Sequence, residues 1–122
     1  MQGERLTLSD GNLFFCQNLG GNLVSITSAK ENSFVWYNFV RDKAHTFLGA
    51  KVVTSSGTTS ATSRSWEWED SSAWTFANWA SSANGGNDGI SKGHDCVHLK
   101  KTDDQQWDDV NCAGSKPYVC KK

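Results

Sequence analysis

Apolar residues in this chain recur first at helical spacing and later at strand spacing. Leu13, Cys16 and Leu19 share one helical face, with Phe14 or Phe15 nearby. Ser9 is placed to cap that helix, and Gly20-Gly21 supply a left-handed stop. Residues 22–26, NLVSI, alternate and are β-branched, which predicts a short strand. Ser28 and Glu31 have the spacing of a capping box. In the helix behind them, NSFVWYNFV, Val35 and Phe39 lie four apart, and Phe34, Trp36 and Tyr37 are expected in the core.

The second half reads differently. TFLGA predicts a buried strand, and VVTSSGTTSATSRS is a hairpin or loop without periodicity. SWEWED alternates Trp with Glu, the mark of a half-exposed strand. Ser71 to Gly93 is predicted as one long loop, rich in turn-forming residues at SSANGGNDGISKG. Loops of that length in a compact domain are usually functional or disordered. CVHL predicts a strand, a turn at KKTDDQ leads to QWDD, and YVC predicts a last strand. Helices early and strands late define an α+β class.

Composition narrows the function. The 122 residues suit one domain over residues 1–122, and six Trp and six Phe suffice for one modest core. Net charge is −1, so there is no basic footprint for nucleic acid. No apolar run approaches the ~20 residues that span a bilayer, so no membrane insertion is expected. Trp66 to Cys112 carries nine acids against three bases, a local excess that suits a cation or a solvated surface. Four Cys without a C-x-x-C pair predict two disulfides in an oxidising compartment, with three pairings open. That places the chain outside the cell as a secreted domain. His94 and His98 are four apart with Asp95 between, but on a strand they lie roughly 13 Å apart, too far to share one ion. No nucleophile–base arrangement is legible, and no enzyme is expected.

Several stretches occur in a telling order: CQNLGGNLVSITSAKENSFV, FLGA, WEWEDSSAWTFANW, HDCVHL, QWDDVNC and PYVC. Together they resemble the C-type lectin domain from about Thr7 to Cys120. The resemblance implies two helices flanking two small antiparallel sheets, with disulfides Cys16–Cys120 and Cys96–Cys112. It also implies an N-terminal strand that is truncated here, or reduced to a short strand from Glu4 to Leu8.

The resemblance further implies a calcium ion that binds vicinal hydroxyls of glycans or glycoproteins. In the family an E-P-N or Q-P-D loop, a Glu before the third Cys and a W-N-D run hold the ion. Calcium accepts up to eight oxygens in loose geometry, which leaves room for sugar oxygens. Here WDD replaces W-N-D, so Asp108 stands for Asn and Asp109 for Asp. His94 takes the Glu position. Gly86-Asn87-Asp88 fall on the proline loop when counted back from His94, and Ala83-Asn84-Gly85 when counted forward from Trp79. The expected metal set is Asp88, His94, Asp108 and Asp109. The expected sugar set is Asn87, Asp88, His94, Asp108 and Trp74. Imidazole in place of a carboxylate weakens calcium and favours zinc or another transition metal. A protein-binding domain without metal is the alternative. Oligomeric state is not legible.

Overall fold

The computed structural model describes residues 6–8, 16, 20–53, 65–87, 89–113 and 116–121. Most of the expected first helix lies outside them, as does the Ser/Thr-rich stretch 54–64. Cys16 is in helical backbone. The stop behind it has the expected form. Gly20 takes φ 82°, and the Gly21 N–H reaches back to the Cys16 carbonyl at 2.9 Å. That is the bond of a glycine-capped helix end.

Nine short strands follow in chain order: β1 Leu6–Leu8, β2 Asn22–Leu23, β3 Thr46–Phe47, β4 Ala50–Val52, β5 Trp66–Trp68, β6 Cys96–Leu99, β7 Trp107–Val110, β8 Lys116–Tyr118 and β9 Cys120–Lys121. Five form one sheet in the order β1-β8-β3-β6-β7. The pairs β2-β9 and β4-β5 form two small ribbons. All pairings are antiparallel except β3 with β8. The α+β C-type lectin fold is thus present. The disulfides join Cys16 to Cys120 and Cys96 to Cys112, as the resemblance implied. The first spans 104 positions, a closure worth about 4–5 kcal/mol in the chain-entropy picture.

The helix Ala29–Val35 starts at Ser28, whose hydroxyl accepts the Glu31 N–H at 3.1 Å. It continues as a π turn, Trp36–Val40. Asn32, Val35, Trp36 and Val40 form the buried stripe. Phe34 and Tyr37 do not join it, contrary to the sequence reading, and are 43% and 57% exposed. The reason is angular. Phe34 precedes Val35 and Tyr37 follows Trp36, so each is turned roughly 100° round the helix away from that stripe, and Tyr37 stacks under the Arg41 guanidinium.

The main core lies on one face of the large sheet. Val97, Leu99 and Trp107 meet Val24, Ile26, Trp36 and Trp68 there. Trp107 is fully buried, and its ring edge meets Trp68, Trp74, Phe76 and Trp79 at 5.6–5.9 Å and near-perpendicular angles. Trp74 lies nearly parallel to Trp68 at 4.4 Å and to Trp79 at 6.4 Å. Gly49 lets two segments meet, since a Cβ there would stand 2.5 Å from the Leu23 carbonyl oxygen. The opposite face packs Phe47, Tyr118 and the Cys16–Cys120 bridge, with Cys96 and Val110 beside them.

A polar knot closes the end near β9. Lys121 Nζ donates to Glu31 Oε2 at 2.6 Å, and to Ser25 Oγ and O at 3.1 and 3.2 Å. Ser25 Oγ donates to Asp70 at 2.6 Å. Burial acts to raise both carboxyl pKa values. For Glu31 the Lys121 and Thr27 hydrogen bonds and the Lys121 charge outweigh it, leaving the group below its ordinary 4.5. For Asp70 the Ser25 and Ser72 hydrogen bonds and the Lys121 charge do the same, below the ordinary 3.8.

Two outcomes are expected. Lys121→Met should remove about 1–2 kcal/mol and lower Tm by roughly 5–10 °C, read by thermal circular dichroism; an unchanged Tm would show the knot to be energetically idle. Because both carboxyls are depressed in the folded state, their stabilisation is complete above their ordinary values and is lost as pH falls through the lowered ones. Tm should therefore hold near neutrality and fall below about pH 4, with a shallower acid limb in Lys121→Met. Separately, Trp74→Ala should cost about 2–4 kcal/mol in urea unfolding, because the ring is part of the tryptophan stack. A loss under ~0.5 kcal/mol would return Trp74 to the surface.

Candidate functional site

Strand alternation decides what the two adjacent Asp residues can do. In β7, Asp108 lies opposite His98 and Asp109 opposite Val97. Side chains of successive strand residues point to opposite faces. Asp109 therefore joins the face of Val97, Leu99 and Trp107, while Asp108 joins that of Cys96, His98 and Val110. On Asp108's side the His98 ring meets His45 at 4.8 Å, and His45 Nδ1 accepts the Lys101 N–H at 3.0 Å. The sheet itself separates the two carboxylates.

Asp109 is 2% exposed, and its Oδ2 accepts the Gly89 N–H at 2.7 Å. The short distance is that of a charge-assisted bond. Gly89 also accepts the His94 N–H at 3.0 Å through its carbonyl. A Cβ on Gly89 would lie 2.3–2.5 Å from the His94 Cβ, Cγ and Nδ1. The His94 side chain thus occupies the space that the glycine leaves. His94 and Asp109, two of the expected metal positions, converge on this one residue.

Asn87 is half-buried in the same loop, and its N–H bonds the Ala83 and Asn84 carbonyls at 3.0 and 3.2 Å. Asp88 lies outside the described residues. Trp74 is in the tryptophan stack, with its faces toward Trp68 and Trp79. Gly89 was missed from sequence. Its signal there was only an Asp-Gly step in a stretch full of turn residues.

The loop is built on that stack. The Ala80 N–H bonds the Trp107 carbonyl, and the Trp107 N–H bonds the Asn78 carbonyl, both at 2.8 Å. A 3₁₀ turn, Ser81–Gly86, follows with Asn84 and Gly85 in left-handed backbone. Gly86 sits against Trp66 and Trp79, and the Trp66 Nε1–H donates to its carbonyl at 3.3 Å. A second short turn, Ile90–Lys92, leads to His94. Ser81, Ser82, Asn84 and Gly85 are left on the outside.

Calcium takes six to eight oxygens. Among the described residues no three His, Cys, Asp or Glu side chains are grouped to hold a metal. The donors that do meet are one buried carboxylate, already accepting a backbone N–H, and one imidazole. That set does not fit the oxygen shell of calcium.

The fold agrees with known proteins. Mouse lithostathine-1 is 34% identical over 97% of this chain, which covers 67% of that protein. Other curated relatives are longer, so the chain spans about two thirds or less of their length. A calcium-independent type II antifreeze protein superposes with a TM-score of 0.77 at 23% identity, covering 98% of this chain and 82% of its own. The cow C-type carbohydrate-recognition domain of CD23, solved with an oligosaccharide, superposes with a TM-score of 0.73 at 22% identity, over 97% of this chain and 82% of its own. The Lectin C-type domain family matches residues 8–122, and the chain belongs to the C-type lectin domain family.

Proposed function

We propose that this domain is an extracellular recognition module that binds glycans or glycoproteins through its long-loop face, without a calcium ion shared with the sugar. The observation that carries this reading is the position of Asp109: its carboxylate is buried and accepts the Gly89 N–H, while Asp108 points through the other side of the sheet. Hydroxyls, amides and backbone groups at Ser81, Ser82 and Asn84 are exposed to meet a ligand, with Asn87 beside them. They can exchange hydrogen bonds with sugar hydroxyls directly or through water. Sugar binding by the CD23 domain and the calcium independence of the antifreeze neighbour both support the reading. Two disulfides suit the extracellular space.

Single-site affinity of such a face is low, so clustered display gives the useful avidity. The test is a glycan array probed with a multivalent form of the domain, in chelator, in calcium and in zinc. Binding of the same glycans in all three buffers is expected, with Asn84→Ala or Asn87→Ala reducing the signal several-fold. Binding that appears only with calcium or zinc would overturn the metal-free reading. An array silent under every condition would overturn the glycan reading.

A further inference from the structure

We infer that Asp109, Gly89 and His94 form a clasp that orders the long loop through protein groups, without a bound cation. The inference concerns the free protein and stands apart from the ligand class proposed above.

A loop with only short turns needs anchors, because its backbone groups lack long ladders. Its first half has several, among them the Ala80–Trp107 bond, the Asn78–Trp107 bond and the seat of Gly86 on Trp66 and Trp79. Its end has the Cys96–Cys112 bridge. Between Gly86 and Cys96, among the described residues, Gly89 joins the loop to the sheet by a hydrogen bond. Its N–H ends on the Asp109 carboxylate. Its carbonyl accepts the N–H groups of Lys92 and His94, each at 3.0 Å. Its missing side chain makes room for the His94 imidazole. One residue therefore joins a sheet carboxylate, a short turn and an imidazole.

The carboxylate is placed for this and not for an ion. It is buried on the core side of β7, where an unbonded charge would be costly. The backbone N–H offers the compensation that a cation offers elsewhere. Glycine is required by space, not by dihedral angle, since Gly89 has φ −100° and any residue adopts that backbone. The obstacle to a larger residue is the His94 ring and its Cβ.

Hydrogen exchange of the loop amides, residues 81–94, tests the clasp in the free protein. The native loop should exchange at the same rate in chelator and in calcium. Asp109→Ala should speed exchange in the loop roughly tenfold to a hundredfold, as expected for loss of a charge-assisted bond, while strands β3 and β6 stay protected. Gly89→Ala should open the loop similarly, and adding His94→Gly should restore protection by clearing the space. Slower loop exchange in calcium than in chelator would overturn the inference, because the cation would then be ordering the loop. Unchanged exchange in Asp109→Ala, or failure of His94→Gly to rescue Gly89→Ala, would overturn it as well. Should Asp109→Ala not fold, the Gly89→Ala and Gly89→Ala/His94→Gly pair carries the test.

Discussion

Trp107 is the point through which the domain holds together. Its backbone forms one strand of the large sheet and also bonds the start of the long loop on its outer side. Its indole N–H donates to Asn32 at 2.9 Å, which ties the helix to the sheet. Asn32 in turn donates to the Gln105 carbonyl, fixing the turn before β7. Four aromatic rings meet its edge. Helix, sheet, turn and loop therefore share one residue, and a change at Trp107 reaches all four. The loop can be long because the surface beneath it is made rigid by this cluster.

That arrangement separates two tasks within a few residues of β7. Trp107 faces the core and holds the scaffold. Asp109, two positions on and on the same face, holds the loop. Asp108 between them faces the His45–His98 pair on the other side. In a strand, function at neighbouring positions divides by parity, and the acidic run is two separate features. The recognition surface proposed above is then the outer rim of the loop, supported from below.

Much of the fold was legible because local chemistry and tertiary role agree. The Ser28–Glu31 cap, the Gly20-Gly21 stop and the alternating Trp66 and Trp68 each look locally as they behave in the structure. The cysteine pairing needed the family resemblance, since arithmetic left three choices. What was not legible depended on geometry that spacing does not carry. The π turn at Trp36–Val40 shifts which aromatics face the core, and no residue type announces it. The facing of Asp108 and Asp109 requires knowing that β7 runs through both. Gly89 was hidden because its role is the volume that it lacks.

Strand order has a further consequence, for assembly as the chain is made. Strand β8 lies between β1 and β3, so a late segment fills the middle of the large sheet. Strand β9 pairs with β2, and Cys120 and Lys121 bring the partner of Cys16 and the counter-charge of Glu31. A growing chain that ends before Lys116 can form the helix and the β6–β7 hairpin, but β1 has no neighbour and the Glu31 carboxylate no ammonium. Such intermediates expose sheet edges while synthesis continues. The domain is therefore closed from its far end, and its completion rests on when the last strands arrive.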